Sequence, residues 1–277
     1  MVRSDPQIRG VAALETAIAL PVFIALSLGL IQLTLLAHAK LMVEYAAFSA
    51  ARAGIVWNGN NERMRDAALL ALLPMHGRTD DLANLVATLS HQRLRERAFR
   101  QLPWGATVPN DVNGAALKGL VRVDLLHPTH ADFDAVAHER GDSRALDEID
   151  FDQAESAAVR RAGVLKVRLR YWYELKIPLA NWLLFAAWYA CNAGVRVTGE
   201  LHHSRIGSGG EMPPPATGIA HRDGYPTVSP LEMQVLWDLA TGRLLLPGRA
   251  SPGVFLPVSA TYSLSIQSNL YRKWLMR

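Results

Sequence analysis

The side chains most able to do chemistry fall in four places. His127, His130, Asp132 and Asp134, with His138 beyond, stand close together in a segment that also holds Pro128. Imidazole nitrogens and carboxylate oxygens at short spacing are what a transition metal takes. This spacing matches no established zinc motif, and the proline favours a loop of surface polar residues. The run Asp142–Glu155 gathers Asp147, Glu148, Asp150 and Asp152. Calcium takes clustered oxygen ligands, but the helix–loop–helix calcium pattern with its central glycine is absent, so the run reads as a solvated face. His202 and His203 are neighbours in what reads as a strand, where successive side chains point to opposite faces and do not share an ion. Cys191 lies in an apolar segment with no histidine adjacent in sequence, a setting that raises a thiol's pKa and leaves it inert. There is no G-x-S-x-G elbow and no phosphate-binding G-x-x-x-x-G-K-[ST] loop. The reading is of no catalytic set, no metal and no cofactor: not an enzyme.

A different kind of chemistry is offered by one carboxylate, Glu15. It stands just inside an apolar run from Val11 to Ala39, and Thr16–Ala37 carries no charge across 22 residues. About 20 apolar residues span the hydrocarbon core as a helix. The run is too long for a secretory h-region, and no A-x-A site followed by a polar run closes it. Its apolar character goes all round rather than along one face, so it reads as a transmembrane helix. An ionisable group at a membrane boundary is a functional hypothesis that needs a named partner. The span offers no cation. A chain cut after Gly10 would supply one, because Val11 would then carry a free amine, and a neighbouring copy's amine could meet Glu15.

Composition sets the frame for these residues. The chain has 277 residues, half of them apolar, with a formal net charge of +4. That is ample for a buried core in one or two domains, and it excludes disordered and low-complexity classes. One cysteine excludes an intramolecular disulfide framework and any multi-cysteine zinc site. Basic residues are not gathered into a tail or stripe, so nothing argues for a nucleic-acid partner.

The N-terminal residues resemble a known family. Gly10 followed by Val-Ala-Ala-Leu-Glu looks like the prepilin peptidase site of type IV filament proteins, with glutamate at the fifth mature position. The wider stretch Arg9–Gly54 is similar to TadE-like pseudopilins of the tight-adherence (Flp) pilus. The matching pieces are Arg9, Gly10, Ala13, Glu15, the Leu20-Pro21 pair, Glu44 and the Ala50–Gly54 run AARAG. Val11 and Thr16 depart from the phenylalanine and second polar residue of classical pilins and general-secretion pseudopilins, which favours the tight-adherence branch. The resemblance implies cleavage between Gly10 and Val11, pairing of Glu15 with an N-terminal amine during assembly, and a minor-pilin role in building the pilus. It implies the prepilin peptidase, the major Flp pilin, a sister pseudopilin, the inner-membrane assembly platform and the lipid bilayer as partners. The positive-inside count is nearly tied between Arg3 and Arg9 on one side and Lys40 and Arg52 on the other. The resemblance breaks the tie: leader cytoplasmic, remainder periplasmic, in a bacterial inner membrane. The alternative is an uncleaved signal anchor carrying a periplasmic binding module or an unrecognised envelope enzyme. A retained leader and indifference to Gly10 and Glu15 would mark it. A general-secretion pseudopilin is disfavoured by Val11 and by the length of the soluble part.

The expected architecture is α+β: a long transmembrane helix projecting into a domain of helices packed on an antiparallel sheet. The divisions are a leader over 1–10, a transmembrane helix over 11–39, its extension over 40–56, and a domain over 57–277 with a Gly/Pro-rich loop at 207–230. A helix from Val11 to Ala53 would be about 64 Å long, roughly twice the hydrocarbon core. Pro21 is expected to bend it. Small residues at Ala46, Ala47, Ser49, Ala50 and Ala53 would allow close helix approach. Gly54 and Trp57–Asn61 read as its stop. Helices follow over Asn61–Leu73 and Asp80–Gln101, the second with a packed face of Leu82, Leu85, Val86 and Leu89. Its basic cluster, Arg93 to Arg100, reads as a solvated end or as a contact for acidic lipid or a partner. Leu165–Ile177 alternates strictly over thirteen residues, the pattern of a half-buried strand. Val195–Leu201 and Val258–Ile266 alternate likewise, and Leu120–Leu126 is a shorter strand. Pro178–Ala193 reads as a buried or interfacial connection, with Trp182 and Trp188 suited to a membrane interface. Pro230–Thr241 reads as a short helix.

Overall fold

The computed structural model of the chain describes residues 6–102, 119–141, 143–150, 157–203, 228, 230–249, 251–266 and 268–274. The Gly/Pro-rich loop at 207–230 lies outside them apart from Val228 and Pro230, as do Asp142 and the acidic residues at 151–156.

Helix α1 runs without a break from Pro6 to Val56, 51 residues. It continues through Pro21, and it also takes in Gly10, so the Gly10–Val11 bond lies within helical backbone. The expected stop is where it ends. Asn58 and Gly59 take left-handed φ angles of 56° and 77°, and a Cβ on Gly59 would sit 2.6 Å from Leu270 Cδ1. Only glycine meets both conditions without strain. Asn60 then opens α2 (Asn61–Ala71), its side-chain oxygen accepting from the backbone N–H groups of Glu62 and Arg63 at 3.0 and 3.2 Å. Pro74 sits in a single 3-10 turn (Leu73–Met75) before α3 (Leu82–Arg100).

The expected packed face of α3 is not the one it buries. Leu82, Leu85 and Val86 are exposed, whereas Thr88, Gln92, Glu96 and Phe99 are buried. The helix is anchored through polar contacts instead. Gln92 Nε2 donates to the Leu69 carbonyl at 2.5 Å, and Glu96 accepts from Arg65 at 2.7 Å.

The core sheet has three antiparallel strands in the order β1 (Val121–His127), β3 (Val164–Glu174), β4 (Phe255–Ser265). A two-residue ribbon pairs β2 (Glu148–Ile149) with β5 (Leu270–Tyr271). Between β1 and β3 come α4 (His130–Arg140) and the short α5 (Ala157–Ala162). After β3 come α6 (Ala180–His203) and α7 (Pro230–Thr241). The arrangement is α+β, with α1 packed across β3 and β4.

Two strand expectations are corrected. Strand β3 is central, and it is buried from Val167 through Tyr173 on both faces, including Arg168 and Arg170. Its odd-numbered residues pack toward the apolar core under α1, and its polar face is covered as well, by partners described below. The Val195–Leu201 alternation is not a strand but the second half of α6. Residues 180–193 lead straight into it as helix, so one helical nucleus propagates through a short β-like pattern.

Candidate functional site

The two ends of α1 differ in what surrounds them. Toward the N-terminus, Leu14, Ile18, Leu20, Phe23, Leu26 and Leu30 are all more than half exposed. Among the described residues this helix alone is long and apolar enough to cross a membrane. Glu15 is exposed on it and has no partner among the described residues. Pro21 is exposed too; its missing N–H leaves the Ala17 carbonyl without the usual helical donor.

From Gln32 onward the helix is covered on one side. Gln32, Ala39, Val43, Ala46 and Ala50 are fully buried, spaced seven, four, three and four apart, which is one face of a helix. Ala47 and Ala51 widen that face. The small residues expected to admit another helix are thus mostly used within the chain, against the sheet and α2. Their lack of bulk lets the helix axis come close to β3 and β4. Phe48 meets Tyr262 of β4 edge to face at 5.2 Å. Lys40 donates to the Ser259 carbonyl at 2.5 Å and pairs with Glu44 at 3.4 Å.

Gln32 was not singled out by sequence reasoning. Its Oε1 accepts from the backbone N–H of Ile177 at 2.9 Å, tying α1 to the chain just before α6. The available signal was its type: it is the one amide side chain in the uncharged stretch, where a polar group must find a partner.

The polar face of the sheet holds a second constellation that alternation alone disguised as a solvated face. Arg168 donates to Asp124 at 2.7 and 3.2 Å, and Arg122 donates to the same carboxylate at 2.6 Å. Arg170 grips Glu232 of α7 with two bonds of 2.6 and 3.0 Å and lies 4.3 Å over the Trp172 ring. Burial alone would raise the Asp124 carboxyl, but the Arg122 and Arg168 guanidiniums outweigh it and hold it below the ordinary carboxylate range. Bidentate arginine–carboxylate pairs fix geometry as well as charge, so this cluster locks β1, β3 and α7 together. Glu96 is the opposite case. Burial pushes its carboxyl above the ordinary range, and Arg65 offsets only part of that.

An open groove of about 740 Å³ lies between α3 and the segment before β4, lined by His76, His91, Arg95, Arg97, Glu174 and Arg249 among others. Glu174 is paired with Arg95 at 2.8 Å and with Arg249. The basic cluster of α3 is therefore only partly solvated: Arg95 and Arg100 are ion-paired, the latter to Glu96 at 3.1 Å. His76 at the groove's floor is pushed down to about 3 by burial and by Arg95 and Lys176 nearby.

The remaining candidates do local work. Asp132 accepts from the Thr129 backbone N–H and hydroxyl, both at 2.7 Å, closing the N-terminus of α4. His127 Nδ1 lies 2.7 Å from the Val164 carbonyl. Arg272 contacts both His130 and Asp134 at 3.1 and 2.9 Å. Among the described residues no group of three or more histidines, cysteines or carboxylates is placed to hold a metal ion. Glu148 accepts from Asn269 at 2.8 Å. His202 and His203 are on helix α6 rather than a strand, and Cys191 is exposed on the same helix.

With this geometry in view, comparison with known proteins bears on one region. Residues 10–52 match the model of the TadE-like protein family. The match starts at Gly10 and takes in Glu15, Pro21, Gln32 and most of the alanine face that meets the sheet. This segment of the chain is similar to TadE-like proteins. No curated protein and no solved structure matches the chain.

Proposed function

We propose that the protein is a TadE-like pseudopilin, a minor pilin that acts in assembling a tight-adherence pilus and performs no catalysis of its own. The observation that carries the reading is the family match over 10–52, which falls on the helix that leaves its first half bare, with Glu15 unpaired among the described residues. In this reading α1 anchors the chain in the inner membrane, with the leader in the cytoplasm and the α+β domain in the periplasm. The prepilin peptidase cuts after Gly10, and the new amine of Val11 on one subunit neutralises Glu15 on the next. An unpaired carboxylate in hydrocarbon is costly, so a subunit in phase is preferred and the contact sets the axial position. The major Flp pilin, a sister pseudopilin and the membrane platform are the partners this assembly requires.

The first test is the N-terminal mass of the membrane-extracted chain from cells with and without a prepilin peptidase. Loss of Met1–Gly10 only where the peptidase is present is expected. An intact leader in both would leave a signal-anchored envelope protein. The second test is Glu15→Ala. It should leave membrane insertion unchanged and reduce pilus number strongly; wild-type piliation in that variant would remove Glu15 from the mechanism.

A further inference from the structure

Helix α6 has an outer face that the described chain covers only in part, where Trp182 meets Trp237 of α7 edge to face at 6.2 Å. Its inner side is filled: Phe185 and Tyr189 stack against Trp237 of α7, with ring centroids 6.3 and 4.7 Å apart, and Phe185 also meets Trp188 at 6.1 Å. Its outer side presents Trp182 and Leu183, at 44 and 58% exposure, continued by Ala186, Ala187 and Ala190, positions within one arc of the helix; Leu179, 53% exposed, stands in the turn just before it with a left-handed φ of 68°. Pro178–Val195 contains no Asp, Glu, Lys or Arg, so no charge interrupts the patch.

The place of this patch along α1 is fixed by one hydrogen bond. The Ile177 N–H to Gln32 contact sets the start of α6 beside residue 32. Gln32 is about 24 Å along the helix axis from Thr16, the first residue of the uncharged stretch, against a hydrocarbon core of roughly 30 Å. If the core begins at Val11 instead, Gln32 stands about 32 Å from its start, at the far boundary. With the core starting between Val11 and Thr16, the first turns of α6 stand within about 6 Å of its far boundary, on the domain's side.

We propose that α6 is an interfacial helix, lying along the bilayer surface beside α1 with Leu179, Trp182 and Leu183 among the lipid headgroups and upper acyl chains. The chemistry suits it. Tryptophan combines an apolar ring with an N–H donor and settles at the headgroup level, and an apolar helical face binds there in proportion to the area it removes from water. The contact gives the protein a second hold on the membrane. It sets the tilt of α1 and its domain relative to the bilayer, which a single helix passing through the membrane leaves unspecified. The inference rests on the reading of α1 as the membrane anchor.

The test uses the full chain in vesicles of phosphatidylethanolamine and phosphatidylglycerol, with Cys191→Ser to remove the one native thiol. A nitroxide is placed at Leu183→Cys, and its collision rates with oxygen and with a water-soluble nickel complex are compared. Leu26→Cys on the bare part of α1 and Arg161→Cys on α5 are the references. The oxygen-to-nickel ratio at Leu183→Cys is expected to lie well above that at Arg161→Cys and below that at Leu26→Cys, as a headgroup-level site requires. A ratio equal to that at Arg161→Cys would put the face in water and overturn the proposal. Protection from both reagents would mean a protein surface, such as a second copy, covers the face, and would equally overturn it. A water-like ratio at Leu26→Cys would instead overturn the anchor reading, so the two failures are distinguishable.

Discussion

The two halves of α1 are one continuous helix, yet they are solved in opposite ways. Before Gln32 the large side chains face outward: Phe23, Leu26 and Leu30 are each close to 70% exposed. After it, the fully buried residues are small, Ala39, Ala46, Ala47 and Ala50 among them. Bulk is placed where the helix meets something other than its own domain, and its absence is placed where the backbone must approach the sheet. The division teaches that hydrophobicity alone does not tell anchor from core; residue size does. It also puts a sharp junction at Gln32, where a polar side chain is spent on the Ile177 backbone.

The largest effect that would test this division is a charge in the covered half. Ala50→Asp places a carboxylate against the sheet with no cation designed to meet it. A loss of about 3 kcal/mol or more is expected, read as a collapse of the urea midpoint of the full chain in detergent. If that midpoint stayed at the wild-type value, the covered half would not be covered.

A second expectation sharpens the same contrast through pH, because the buried side of the molecule holds titratable groups that the bare helix does not. His76 has a folded pKa near 3 against 6.5 for the free side chain. Below pH 6.5 the unfolded chain takes up a proton that the folded chain refuses. The stability tied to a neutral His76 is therefore complete above 6.5 and drains as pH falls toward 3. The loss is about 1.4 kcal/mol per unit, or about 2 kcal/mol by pH 5. His76→Gln should flatten that slope relative to wild type. Parallel pH profiles for the two chains would show that His76 titrates freely. Asp124 adds a loss of the same sign at more acid pH, and Glu96 opposes both, so the difference between the chains is the quantity to read.

At the junction itself the effect is smaller. Gln32→Leu removes the acceptor of the Ile177 N–H and should cost about 1–2 kcal/mol. It should also loosen α6 first, because that bond ties the start of α6 to α1. Faster amide exchange confined to residues near 177–184 is the signature. Uniform change across the domain would mean that Gln32 acts through packing alone.

How far these features were legible in the sequence follows from the physics of each. The long helix, its stop at Asn58–Gly59, strands β1, β3 and β4, and helices α2, α3 and α7 were readable because their patterns are long or carry a distinctive turn residue. The N-terminal segment was readable through a run of specific residues, Gly10, Glu15, Pro21 and AARAG. The failures share one cause: a residue's surroundings come from another part of the chain. Arg168 and Arg170 looked solvated because alternation reports two faces but not what covers the second; Asp124 and Glu232 do. Leu82 and Leu85 looked buried because three-and-four spacing predicts a stripe but not whether a partner meets it. Val195 and Val197 looked like strand because β-branched residues favour pleated surfaces, yet the helix nucleated by the preceding apolar run continued through them. Gln32 was passed over because a single amide in an apolar run is only informative once its acceptor has a donor.

The smallest expected effect bears most directly on what the bare half is for. Leu26→Ala trims a side chain that is 68% exposed, so no cavity opens and no packing is lost within the chain. Its stability change should stay within about 0.5 kcal/mol, well below the 2–5 kcal/mol of a buried leucine truncation. A larger loss in the isolated full chain would mean that this part of α1 packs against its own domain, and the division at Gln32 would be wrong. If the stability is unchanged while piliation falls, the side chain is being used between subunits. The bare half would then be a packing surface held in reserve for assembly. If neither changes, Leu26 faces lipid throughout. The assembly contacts would then lie on another side of the helix, with Glu15 still fixing where along its length they form.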